Sequence, residues 1–126
     1  MAWRLVLPLL LVGRLAWAAD TLPPLVDIAA SPAQGERIFV EREAGHCVLC
    51  HRVAGLDAPF QGNLGPALTG IGSRLSPAQI RLRIVDASRL NPDTIMPPYY
   101  RSEGLAQVAG EYRGQTVLSA GQIEHL

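Results

Sequence analysis

The chain has 126 residues, with 11 Arg, no Lys and 11 Asp plus Glu, so its formal net charge is zero. That length suits one small domain, and the balanced, scattered charge excludes a basic patch for nucleic acid or a polybasic segment for an anionic membrane surface. The absence of lysine also excludes a lysine-ringed docking face, so any partner must be met by arginines, aromatics or backbone groups.

The N-terminus predicts export. Residues 1–4 carry a positive charge at Arg4, residues 5–12 are apolar, and Ala16-Trp17-Ala18 fits a small-residue cleavage site. An eight-residue apolar run is too short for a bilayer core, which needs ~20 residues. Residues 1–18 are therefore expected to be a signal peptide, the alternative being an apolar first strand. Arg14 lies between the apolar run and the cut. No cysteine follows the run to carry a lipid, so no membrane anchor is expected. Removal of residues 1–18 leaves 108 residues with 9 Arg against 11 acidic groups, a net charge of −2, and takes away both tryptophans, Trp3 and Trp17.

Residues 19–30 contain Pro23-Pro24 and no helical period, which predicts an extended lead-in. Ser31-Pro32 pairs a helix N-cap with proline at the first helical position. The helix that follows puts Gly35, Ile38 and Phe39 on one face and is expected to end near Ala44-Gly45. Directly after it comes Cys47-Val48-Leu49-Cys50-His51, a C-x-x-C-H run that reads as a covalent attachment site for one c-type haem. Two thiols add across the vinyl groups and His51 stands next to them as an iron ligand. No other cysteine competes for the role. A structural zinc site needs four N or S ligands, and only His46, His51 and His125 are available besides the pair. A redox dithiol would sit near a βαβ pattern, which is not seen, and a disulfide over so small a loop would constrain the unfolded chain little. Zinc and a redox pair stand as the alternatives.

Residues 52–65 read as a glycine-rich loop, continued by turns through Leu64-Gly65-Pro66-Ala67-Leu68 and Ile71-Gly72-Ser73-Arg74. Ser76-Pro77 repeats the cap signal, and Ile80, Ile84 and Ala87 predict an apolar stripe on a helix that stops before Asn91-Pro92. Pro92, Pro97 and Pro98 forbid regular helix over residues 91–100. Residues 101–114 are ambiguous, with a short helix expected around 105–109. Ser119 caps a last helix, which is read as cut short because the chain ends seven residues later. The fold class is all-α: helices and loops wrapped round one covalent haem, with no strand and no internal repeat. A haem would be a large share of so small a core, so the haem-free chain is expected to fold poorly.

The remaining axial position on the iron takes Met, His, Cys or Tyr. Past residue 18 the chain has one methionine, Met96, placed 45 residues after His51 and followed by two prolines that stiffen its loop. Met96 is the expected sixth ligand, the alternative being a gap-filling core residue. His46 precedes the motif on the wrong side, and His125 is the competing candidate. His/Met ligation raises the reduction potential and leaves no open position, so the iron would move electrons rather than bind substrate. No nucleophile or acid–base pair stands out, so catalysis is not assigned to this chain alone. Export agrees, because c-type haem is attached outside the cytoplasmic membrane.

Cys47-x-x-Cys50-His51, the Gly65-Pro66-x-Leu68-x-Gly70 turn and the later methionine resemble the class I cytochrome c family. The stretch from Phe60 through Gly65-Pro66, and above all the run from Arg81 through Asn91-Pro92-Asp93-Thr94-Ile95-Met96-Pro97 to Tyr100, is similar to the SoxX family, subunits of the SoxAX cytochrome complexes of periplasmic sulfur oxidation. The likeness covers residues 31–126, the cytochrome c domain. It implies a periplasmic electron-transfer subunit of an L-cysteine S-thiosulfotransferase, which oxidatively joins thiosulfate to a cysteine of the SoxYZ carrier protein. The partner SoxA would hold the catalytic haem, and a downstream cytochrome would accept the electrons. By the same resemblance Cys47 and Cys50 bind haem, His51 and Met96 ligate iron, and the Pro66 carbonyl accepts a hydrogen bond from His51. Arg74 is either a propionate contact or a solvated arginine, and the family's propionate-binding tryptophan has no counterpart. Tyr99 and Tyr100 are candidates for the SoxA interface or for packing over the haem. Family members run on beyond the last helix seen here, so Gly35 and Phe39 are expected to lack part of their partner face. The alternative function is a free-standing electron-shuttling cytochrome.

Overall fold

The structure, a computed structural model, describes residues 20–126; the expected signal peptide lies outside the described residues. Three helices, α1 (Pro32–Val40), α2 (Pro77–Asp86) and α3 (Ala120–His125), are joined by loops with single 3₁₀ turns at Cys47–Leu49, Ile71–Ser73, Ala87–Arg89 and Gly110–Tyr112. Among the described residues there is no strand, and no helix is long and apolar enough to cross a membrane.

Each helix begins where its local chemistry directs. Ser31 accepts a hydrogen bond from Gln34 N–H and is followed by Pro32. At α2 and α3 the cap is reciprocal. Ser76 and Ser119 accept from Gln79 and Gln122 N–H, and those glutamine side chains accept from the serine N–H groups. Helix α1 stops at Val40, short of the expected Ala44-Gly45. Glu41 is extended, and Gly45 N–H doubles back onto the Ile38 carbonyl at 3.1 Å, so a turn at 42–45 replaces the last helical turn. The short helix expected around 105–109 does not form: Gln107 has φ +58°, outside the right-handed helical region, and the turn here falls at Gly110–Tyr112.

Ile38 of α1, Val85 of α2, Ile123 of α3 and Leu118, just before the α3 cap, form the buried core, with Leu22, Leu25, Ala44, Ile84, Tyr99, Tyr100 and Leu126 packed round it. The deep face of α2 is Leu82, Val85 and Asp86, whereas the expected stripe of Ile80, Ile84 and Ala87 is half-buried. Two apolar faces share this short helix, and tertiary packing selects between them. Helices α1 and α3 cross at Gly35, where a Cβ would collide with the His125 carbonyl. Gly35 therefore meets the backbone of α3 directly at this crossing. His125 Nδ1 accepts from Ser31 N–H at 3.2 Å, so the competing iron-ligand candidate is engaged at this crossing.

The extended lead-in straps α2 to α3. Leu22 N–H bonds to the Ala78 carbonyl, Arg81 donates to Leu22 O, and Leu25 N–H donates to Glu124. Arg81 and Glu124 form a two-pronged ion pair at 2.8 and 2.6 Å, almost wholly out of water. The strap and the helix crossing brace one side of the molecule, leaving the loops 46–74 and 87–100 to carry the candidate site.

Candidate functional site

The Cys47–Leu49 turn follows His46, whose backbone is left-handed at φ +46°. Cys50 and His51 N–H groups both return to the Cys47 carbonyl, at 3.1 and 2.9 Å. Side chains three apart in a 3₁₀ turn lie on the same side, so Cys47 and Cys50 stand together. Val48 points into the interior and Leu49 is 63% exposed. Both cysteines are free thiols. Burial, opposed by a backbone hydrogen bond and aided by the neighbouring Cys50, pushes the Cys47 thiol up to about 11, so it keeps its proton at neutral pH. Among the described residues no three His, Cys, Asp or Glu side chains converge as a metal-ligand cluster.

Residues 61–69 are zipped to the motif along its length. Gly62 N–H bonds to Val48 O, Gly65 N–H to Cys50 O and Leu68 N–H to Arg52 O, all at 2.8–2.9 Å. Gln61 and Thr69 side chains accept from Val53 and Ala54 N–H at 2.7 Å. This register brings the Pro66 carbonyl to 2.7 Å from His51 Nδ1. A carbonyl only accepts, so Nδ1 carries the proton and the Nε2 lone pair is free for a metal. Gly65 floors the ring: a Cβ there would lie 2.7 Å from Nδ1, 2.9 Å from Nε2 and closer still to Cε1. Gly62 is equally confined, against the Leu49 carbonyl. Arg74 donates to the Thr69 and Ala67 carbonyls and so braces the same loop.

Met96 comes from a separate segment. Its N–H donates to Thr94 Oγ1 at 3.2 Å, Thr94 N–H bonds back to Asn91 O, and Asp93 N–H donates to Asn91 Oδ1. Met96 is half-buried between the exposed Ile95 and Pro97. The segment then rejoins α2 through Tyr99 and Tyr100 N–H, which bond to the Ile84 and Val85 carbonyls. The Tyr99 hydroxyl donates to Gly45 O at 2.9 Å, linking this segment to the residues just before the cysteine pair. Both tyrosines are half-buried and pack against the core.

The structure thus brings Cys47, Cys50, His51 and Pro66 together, with Met96 on the loop tied to them through Tyr99. Paired thiols, an imidazole with Nε2 free and a glycine floor beneath its ring are a donor set and cradle that fit a haem held by two thioethers. The pair Asp86–Arg101 was not singled out by sequence reasoning; Gly65 figured there only as part of the Gly65-Pro66 turn, without its contact to the His51 ring, and Tyr99 without its bond to Gly45.

No protein-family model and no curated protein matches the chain. Among solved structures, the crystal structure of SoxXA from P. pantotrophus matches with a TM-score of 0.76 and 30% identity, over 85% of this chain and 84% of that one. The chain belongs to the SoxX family of sulfur-oxidation cytochromes. Its helix-and-loop architecture is that of the small cytochrome c-like fold. As a SoxX-family chain, it carries the cysteine pair, the imidazole and the Pro66 carbonyl on adjoining turns of one continuous loop system.

Proposed function

We propose that this chain is a periplasmic monohaem c-type cytochrome and the electron-transfer subunit of a SoxAX complex. Cys47 and Cys50 hold the haem covalently, His51 binds the iron through Nε2, and Met96 supplies the sixth ligand. Bound in this way, the haem provides one-electron redox chemistry. The observation that carries the reading is the 2.7 Å bond from His51 Nδ1 to the Pro66 carbonyl, which puts the proton on Nδ1 and leaves the Nε2 lone pair free on the residue next to a pair of free thiols.

The chain's own residues orient and tune. Pro66 increases the basicity of His51 Nε2 by accepting a hydrogen bond from Nδ1–H, Gly65 allows the loop to lie flat beneath the ring, and the Met96 segment contributes a soft thioether that favours a high potential. The haem-bearing partner is SoxA, as the SoxXA pairing of the structural relative suggests. Joining thiosulfate to a SoxYZ cysteine thiolate releases two electrons, which this chain accepts singly and passes to a downstream cytochrome.

The test is expression with the c-type maturation machinery and an export signal, followed by mass and optical measurement. The expected result is one haem of added mass that survives denaturation and is lost in Cys47→Ser/Cys50→Ser. A ferric far-red thioether band should vanish in Met96→Ala. A colourless polypeptide of unmodified mass overturns the reading. Co-purification with SoxA, and thiosulfate-dependent reduction only in its presence, separate the complex subunit from a free-standing shuttle.

A further inference from the structure

Residues 87–100 leave α2 and return to it, and a polar clasp closes the neck of that excursion. On the outgoing side Asp86, 6% exposed, accepts from Ser88 N–H at 3.1 Å and from Ser88 Oγ at 2.5 Å through one carboxylate oxygen. On the returning side Arg101 Nη1 donates to the other oxygen at 2.9 Å and to Ser88 Oγ at 3.1 Å. Asp86, Ser88 and Arg101 therefore form a closed triangle one residue beyond the backbone bonds of Tyr99 and Tyr100 to α2.

Between these anchors, residues 91–100 contain no helical turn. Only the local turn about Asn91 and the Thr94 bond to Met96 N–H order the tip. A segment without regular structure takes its geometry from its ends, and fixing both ends removes most of the conformations in which a residue near the tip would miss its target. A thioether is a weak, neutral ligand, so its occupancy of a metal is sensitive to how often the loop presents it correctly. The neck is also where a buried carboxylate meets a guanidinium that is 38% exposed, so the clasp can be opened by substitution at Arg101 without placing a new group in the core.

We propose that Asp86 and Arg101 are positioning residues for Met96: their clasp holds the loop 87–100 in the geometry that keeps the thioether on the iron. The inference rests on the reading of Met96 as the sixth ligand.

The experiment compares haem-loaded Asp86→Asn, Arg101→Gln and the double variant with the parent. Arg81→Gln serves as a control that breaks the other internal ion pair, away from this loop. The readouts are the ferric far-red thioether band, the affinity for added imidazole as a competing iron ligand, and thermal stability. Opening the clasp is expected to weaken the band and tighten imidazole binding on the order of tenfold, a shift of about 1.4 kcal/mol by the usual conversion. The double variant should be no worse than the worse single one, because the two residues act as one unit. Arg81→Gln should lower the melting temperature with band and imidazole affinity unchanged, and Arg101→Lys should restore part of the parent behaviour. If Asp86→Asn does not fold, Arg101→Gln decides alone. Parent-like band and imidazole affinity in Arg101→Gln overturn the proposal, even if the protein melts earlier. Met96→Ala separates the two levels: if it leaves both readouts unchanged, the ligand assignment itself is wrong and the positioning role falls with it.

Discussion

The hydroxyl of Tyr99 donates to the carbonyl of Gly45 across 54 residues of sequence, at 2.9 Å. This bond joins the segment after Met96 to the turn before Cys47, so the two halves of the candidate site are braced against each other. Burial, with smaller contributions from the nearby cysteines, pushes the phenol up to about 12, and the donor proton stays in place across the physiological range. Tyr99→Phe removes the donor and leaves a partly buried carbonyl unsatisfied. We expect a loss of about 1 kcal/mol, read as a lower denaturant midpoint at unchanged slope. Because the ring packs against the core, binding to the proposed SoxA-type partner should not change; weakened binding at undiminished stability would place Tyr99 in the interface.

Gly65 and Gly70 lie five residues apart but are required for different reasons. At Gly65 the backbone is ordinary, and the constraint is the His51 ring against which a Cβ would be driven. At Gly70 a Cβ would make only ordinary contacts with the ends of the Arg74 and Ser73 side chains, and the constraint is a left-handed backbone with φ +68°. Gly65→Ala should therefore displace the imidazole, break its bond to Pro66 and cost about 1–3 kcal/mol, with a changed reduction potential in the loaded protein. Gly70→Ala should cost about 1–2 kcal/mol through its backbone alone and leave the potential unaltered. Paired melts and potentiometry distinguish the two; an unchanged potential in Gly65→Ala would remove the contact from the site.

These glycines mark the boundary of what was legible in the sequence. The serine caps of α1, α2 and α3 were readable because a cap is satisfied by residues three positions away. The cysteine pair and His51 stood out because they form one contiguous run of sequence. The end of α1 was not, since it depends on Gly45 folding back onto Ile38. Nor was the buried face of α2, where Leu82 and Val85 prevail over Ile80 and Ile84 only once the lead-in and the Tyr99 strand of loop have docked. Asp86–Arg101 and Tyr99–Gly45 join residues 15 and 54 positions apart, and no local pattern announces such a pair.

The crossing of α1 and α3 admits a direct test. A Cβ on Gly35 would overlap the His125 carbonyl and sit 3.0 Å from its carbon, which is backbone and cannot swing aside. Gly35→Ala should therefore push the helices apart and cost about 1–3 kcal/mol or more, despite the better helix propensity of alanine. Gly72 is the contrasting case, with nothing within 4 Å of its Cβ position and no positive φ. Alanine there should fall within about 0.5 kcal/mol of the parent. Equal melting temperatures for the two variants would mean that the helices are not in backbone contact.

Acid should loosen the molecule through two carboxylates. Arg81's hydrogen bond, aided by Leu25 N–H and the charge of Arg81, holds Glu124 below its ordinary range against the opposing effect of burial. For Asp86 burial is the largest influence and acts upward, but the Ser88 hydroxyl and N–H together with Arg101 outweigh it. A carboxyl depressed in the folded state stabilises the fold fully above the ordinary carboxylate range, near pH 4, and that contribution disappears as pH falls through the folded value. Melting temperature should thus be flat in this respect above about pH 5 and drop below about pH 4. Glu124→Gln should melt earlier than the parent at neutral pH, since it strands Arg81 beside Leu22 O and a neutral amide. Its deficit should narrow on acidification, because the parent then loses the same charge. A gap between the two that stays constant from neutral pH into the acid limb would show that the strap of the lead-in across α2 and α3 does not depend on the ionised Glu124.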